Sequence, residues 1–205
     1  MLGTRFVGAA PADTTLVNNK YFLESLRLAG LAQESFELGD YDAATAYAEE
    51  AFKYAKMSDD YVAQQLDRNE AERNLGTAKR RLDDATAMGG KTQFPDLYKQ
   101  ANTAYTDAAK ALSGEKWQEV TTAANKVGAA VEEMERLKAK EVDAALAKAK
   151  ARLDWATGAK AKALFPEPYN RANTAYSDAL KAKGAKDWPG AEGGAAKTIA
   201  AVAEI

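Results

Sequence analysis

The sequence predicts an all-α fold of repeated helical hairpins joined by long helices, arranged as tandem three-helix bundles. Two observations carry this. The stretch Phe94-Pro95-Asp96-Leu97-Tyr98 through Ala101-Asn102-Thr103-Ala104-Tyr105 returns 71 residues later as Phe165-Pro166-Glu167-Pro168-Tyr169 through Ala172-Asn173-Thr174-Ala175-Tyr176. A repeat of that length, made of helix formers, marks one supersecondary unit used more than once. The second is the run of apolar residues at helical spacing over long stretches, interrupted by few prolines and by clustered glycines. Much of the apolar content is alanine, which favours helix and close helix approach but buries little area, so many contacts must replace a thick core.

Taken in order, residues 1–18 contain Gly, Pro, Thr and Asn without periodicity and predict a flexible N-terminal segment. A first helix is expected from Asn19 to Leu38, with Phe22, Leu26, Leu28, Leu31, Ala32 and Phe36 as apolar positions. Gly39-Asp40 ends it and Tyr41 opens the next, so residues 19–57 read as a helical hairpin with antiparallel arms. Aligning Tyr41 with Trp117 and then Trp188 makes the hairpin recur, with turns at Gly39-Asp40, Glu115-Lys116 and Lys186-Asp187.

Between hairpins the helical pattern hardly stops. Val120, Ala124, Val127, Val131 and Met134 form one stripe, and Val142, Leu146, Ala149, Leu153 and Ala156 a second, displaced by about one residue or ~100°. One long helix with two differently directed faces accounts for both. The run from Tyr41 to Met88 reads the same way, except that Ser58-Asp59-Asp60 offers an N-cap where the helix can restart. Residues 58–138 and 139–205 are thereby expected to be two helical repeat units, each a three-helix bundle, in a rod comparable to spectrin-type arrays. Gly190, Gly193 and Gly194 leave two readings of the last helix open, close packing or a frayed end.

Composition excludes much chemistry. With no Cys and no His there is no thiolate, disulfide, imidazole base or Cys/His zinc site, and the chain is expected to be no enzyme and to carry no cofactor and no metal. The acidic pairs Asp59-Asp60, Asp83-Asp84 and Glu132-Glu133 diverge on helices and read as solvated charge. A formal charge of −2 gives no basic footprint for nucleic acid, and no apolar run is long enough for a transmembrane segment. Charge is uneven along the chain, acid-rich from Glu34 to Glu72 and lysine-rich from Lys138 to Lys186, which reads as solvated helix faces, or else as a basis for head-to-tail association or contact with an anionic surface.

Two sets of residues are candidate binding sites. Asn102 with Thr103 and Asn173 with Thr174 point outward from the repeated helix, and an Asn amide offers a donor and an acceptor to a peptide backbone; the alternatives are a surface retained from duplication or an Asn that caps a neighbouring helix. Trp155 stands where the preceding repeat has Asp84; it reads as a residue packed on Phe165 or Tyr169, or else as an exposed binding aromatic with them. Tyr105, Tyr176, Trp117 and Trp188 fall at core positions, and Phe94-Pro95 and Phe165-Pro166 at helix starts.

The segment Glu37-Leu38-Gly39-Asp40-Tyr41-Asp42-Ala43-Ala44, with Ala48 and Ala51, resembles the turn and second helix of a tetratricopeptide repeat. As a whole the alanine-rich repeat resembles the tetratricopeptide-like helical regions of bacterial, including spirochaetal, cell-envelope lipoproteins of unassigned function. The resemblance implies a non-catalytic protein-interaction scaffold or spacer in the periplasm or cell envelope, with a protein partner and with envelope attachment through flanking sequence. The alternative it leaves is a small-molecule or glycan (peptidoglycan) binding module using exposed aromatics.

Overall fold

The computed structural model describes residues 14–205, and these are helical with no strand. The expectations for residues 1–13 lie outside the described residues; residues 14–17 form a single helical turn, α1 (Thr14–Val17), where an extended lead-in was expected. The remaining helices are α2 (Lys20–Glu37), α3 (Tyr41–Ala87), α4 (Gly90–Gln93), α5 (Pro95–Ser113), α6 (Trp117–Gly158), α7 (Ala161–Leu164), α8 (Pro166–Gly184) and α9 (Trp188–Val202). None is long and apolar enough to cross a membrane. The chain divides into two compact units between Glu72 and Arg73, within α3.

In the first unit, α2 and the start of α3 form an antiparallel hairpin. Asn19 caps α2, its Oδ1 accepting from the backbone N–H of Tyr21 at 3.0 Å and of Phe22 at 3.1 Å. Its amide also donates to Ser58 Oγ at 2.9 Å, and both residues are buried. Ser58 therefore does not cap a new helix: its hydroxyl is taken by a residue 39 positions earlier, and α3 runs through it unbroken. The ring of Tyr21 meets Tyr61 edge to face at 6.0 Å. Ala44, Ala51 and Ser58 are the buried positions along this part of α3, one every seven residues, so its contact with α2 is a narrow stripe of small side chains. Larger apolar residues are left in water, among them Leu38 at 85% and Phe52 at 74% exposure.

The second unit holds a continuous core. Ala78, Leu82 and Ala85 of α3 meet Ala101 and Ala104 of α5 and Val127, Val131 and Met134 of α6. The same core runs on through Val142, Leu146 and Ala149 to Ala179 of α8 and Trp188, Ala191 and Ala195 of α9. A smaller cluster of Leu153, Ala156, Ala161, Ala172, Ala201 and Val202 follows it. Pro95 and Pro166 each open a helix, as the sequence predicts, since proline's missing N–H costs nothing in a first turn.

The two apolar stripes of α6 are one. Buried positions descend as Val120, Ala124, Val127, Val131, Met134, Lys138, Val142, Leu146, Ala149, Leu153 and Ala156. Spacings alternate between four and three except across Lys138, where steps of four follow one another. That insertion rotates the stripe and produces the one-residue phase shift. The position looked like a gap in the sequence because a charged residue fills it.

The three hairpin turns share one hydrogen-bond scheme. Asp40 N–H donates to Ser35 O at 2.9 Å, Lys116 to Ala111 O at 3.0 Å and Asp187 to Ala182 O at 2.9 Å, each closing the preceding helix with a residue in the left-handed region. That residue is Gly39 in the first turn but Glu115 (φ 55°) and Lys186 (φ 57°) in the others.

Candidate functional site

A concave surface in the second unit lies along the groove between α5 and α6. Two adjoining clefts of about 640 and 620 Å³ share Ala104, Asp107 and Lys126. Alanines make the floor: Ala104, Ala111, Ala123 and Ala130 are all nearly covered. Charged and polar side chains make the rims, with Gln100, Thr103 and Asp107 on α5 and Lys126 and Glu133 on α6. Glu133 is held below the ordinary carboxylate range by its hydrogen bond from Arg136, whose Nε lies 2.6 Å from Glu133 Oε2, so this rim stays anionic at neutral pH.

The alanines follow from the helix geometry. Small residues at the facing positions bring α5 and α6 close, and the next residues outward stand as two walls instead of meeting across the seam. The equivalent seam between α8 and α9 is tighter. Gly194 takes the place of Ala123, and a Cβ there would lie 2.7 Å from Ala179 Cβ and 3.0 Å from Ala175 O. Of the two readings of the terminal glycines, close packing holds at Gly194. Gly193 faces open space, and Gly190 donates its N–H to the capping Asp187 Oδ1 at 3.0 Å.

Comparison with protein families, with curated proteins and with solved structures gave no match. The site therefore stands on its geometry.

Of the sequence-predicted residues, Thr103 is brought into the α5–α6 groove, while its neighbour Asn102 is exposed outside the cleft linings. Asn173 and Thr174 are exposed on α8. Tyr169 is half-buried on the second core cluster, and its hydroxyl meets Thr157 Oγ1 at 3.0 Å. Tyr98 and Thr86 make the same contact at 2.9 Å in the preceding repeat, which marks the pair as a strut of the fold. Trp155 is 58% exposed and Phe165 42%, so the reading of Trp155 as a packed residue gives way. Its position on α6 points away from the buried stripe, as Asp84 does in α3.

Two features escaped the sequence reading. One is the groove, whose signal was the pairing of alanines on α5 with alanines on α6. The other is Lys138, 1% exposed, whose ammonium donates to Gln93 Oε1 at 2.8 Å and to Glu192 Oε1 at 2.7 Å, with Glu141 Oε2 at 3.7 Å. It ties α4, α6 and α9 together.

Proposed function

We propose that the chain is a non-catalytic helical repeat module that binds another protein, as a scaffold or spacer, through the α5–α6 groove. Its helices are read as tandem three-helix units with a tetratricopeptide-like hairpin before them: α3 from Arg73, α5 and the first half of α6 in one, the second half of α6, α8 and α9 in the next. The observation that carries the binding reading is the groove's construction. An alanine floor between rims that each carry both signs of charge, Lys99, Asp107 and Lys110 on α5 and Glu119, Lys126 and Glu133 on α6, suits an extended or helical peptide segment better than a buried small molecule. The cell envelope is the proposed location, on the resemblance of the alanine-rich repeat to envelope lipoproteins, and attachment there is assigned to flanking sequence.

Site-specific photocrosslinking in cells that make the protein tests this. A photoreactive residue at Thr103 should give a discrete crosslinked partner, and one at the neighbouring Asn102 should not. Equal crosslinking from both positions, or none from Thr103, would remove the groove as the binding surface.

A second reading has its own observation. Trp155 and Phe165 are large aromatics left in water, as glycan-binding platforms are. Titration with soluble peptidoglycan fragments should then change the Trp155 emission, and a flat titration excludes it.

A further inference from the structure

Floor and wall of the α5–α6 groove share one period. Ala104 and Ala111 lie seven residues apart on α5, Ala123 and Ala130 seven apart on α6, and the α6 wall repeats at the same interval as Glu119, Lys126 and Glu133. Seven helical residues rise about 10.5 Å. A helix laid along the seam presents side chains in alternating steps of three and four, so its pattern also returns every seven residues and meets each stretch of floor alike. An extended strand shows the same face every ~6.6 Å and is out of step at the next floor position. The groove runs along α5 from Leu97 to Gly114, about 26 Å, which holds more than two of these periods. Its spacing therefore favours a helix.

Charge singles out one contact in that groove. The other charged residues of the walls each have an opposite charge one turn away in their own helix or at its cap. Lys99 has Asp96 and Asp107 has Lys110, while Glu119 accepts from Lys116 at 3.0 Å and Glu133 from Arg136 at 2.6 Å. Lys126 has none: the residues three and four away on either side are Thr122, Ala123, Ala129 and Ala130. Its ammonium makes no hydrogen bond or ion pair among the described residues. It is exposed and lines both clefts, so an uncompensated cation stands in the middle of the groove. On the reading of the groove as the binding surface, we infer that the partner segment bound there is an amphipathic α-helix, with small or apolar side chains on the alanine floor and a carboxylate set against Lys126. The carboxylate projects from the flank of that helix over α6, because Lys126 belongs to the α6 wall. A helix with a basic residue at that point meets like charge halfway along its length, which rejects it.

Fluorescence anisotropy with the full chain and labelled synthetic peptides tests the inference. The probe is a helix-forming peptide of about 21 residues, three heptads, with Ala and Leu on its seam and one Glu on the flank of the middle heptad. Companion peptides carry Lys in place of that Glu, or a Pro in the middle heptad that breaks the helix. The Glu peptide should bind with a Kd below about 100 μM, the Lys peptide about fivefold or more weakly and the Pro peptide about tenfold or more weakly. Lys126→Glu should reverse the preference between the Glu and Lys peptides, as a charge exchanged on both sides of one contact does. Lys148→Glu, exposed on α6 and outside both clefts, should leave it as it is. Both substituted lysines are exposed, and circular dichroism checks that helix content is unchanged. No binding of the Glu peptide up to about 1 mM, equal binding of the Pro peptide, an unreversed preference in Lys126→Glu, or a reversal in Lys148→Glu as well overturns the inference. Any of these alongside a discrete crosslink from Thr103 keeps the groove and removes the helix, whereas loss of that crosslink removes the groove and the helix together.

Discussion

Lys138 sets up a sharp asymmetry between removing a buried charge and removing its partner. The ammonium is nearly sealed, with its side chain 2% exposed; it donates to Glu192 and Gln93 and lies 3.7 Å from the Glu141 carboxylate. Glu192→Ala leaves the cation in place with one full-strength neutral acceptor. Breaking a fully buried pair from one side costs about 3–5 kcal/mol. Glu192 is itself 36% exposed and Glu141 53%, so water and the second carboxylate offset part of this, and we expect about 2 kcal/mol. Lys138→Met removes the cation but keeps an unbranched chain on the buried stripe. Gln93 is exposed and Glu192 partly so, and both regain water; the change should stay within about 1 kcal/mol of wild type in either direction. Urea unfolding followed by tryptophan fluorescence measures both, since Trp117, Trp155 and Trp188 all lie in the second unit and report on it alone. Lys138→Met costing as much as Glu192→Ala would refute the reasoning, because the lysine would then be stabilising as a cation and not merely tolerated.

Further expectations follow from the repeat and its turns. Gly194→Ala drives a methyl into Ala179 and should destabilise by about 1–3 kcal/mol, while Gly193→Ala faces open space and should stabilise by up to about 1 kcal/mol through helix propensity; thermal unfolding of the pair shows opposite signs if α9 packs as described. Glu115→Gly relieves a left-handed non-glycine residue and should raise stability by about 0.5–1 kcal/mol in urea, whereas Gly39→Ala should lower it by a similar amount. Glu24 and Glu133 are held below the ordinary carboxylate range by hydrogen bonds from Arg27 and Arg136, so their contribution is complete above the unfolded-state glutamate pKa and is lost as pH falls through the lower folded values. Lys79 and Lys150 are raised by hydrogen bonds to Asp83 and Asp154, so theirs is complete below the unfolded-state lysine pKa and is lost as pH rises through the higher folded values. All four groups are at the surface, and with no histidine in the chain the melting temperature should be flat between about pH 6 and 8, falling only in acid or strong alkali. A step near pH 7 contradicts this.

Helix positions were legible because their signals are local. Pro95 and Pro166 as first-turn residues and the Gly39-Asp40 turn each state a boundary within a few residues. Tertiary pairings were not. Ser58 is a good capping residue, and nothing near it in sequence says that Asn19 will hold its hydroxyl. Lys138 interrupts an apolar stripe on paper, yet acceptors brought from α4 and α9, with the Glu141 carboxylate of α6 at 3.7 Å, let it continue the stripe. Trp155 shows the reverse error. A large aromatic argues for packing by type, but its register on α6 is that of Asp84 on α3, and register decided exposure. The groove was hidden for a related reason: alanine at Ala104, Ala111, Ala123 and Ala130 signals a helix contact, but whether that contact closes or leaves walls standing depends on single positions such as Ala123 against Gly194.

Once crosslinking from Thr103 has provided the partner, its affinity for the wild-type chain and for Ala129→Arg is the most direct test that function resides in the α5–α6 groove. Ala129 is exposed on the crest of α6 between this groove and the α3–α6 cleft, so an arginine there crowds the groove's rim without entering the core. The predicted result is a loss of at least about tenfold in affinity, with the urea midpoint unchanged. Undiminished affinity with the arginine in place would contradict the account.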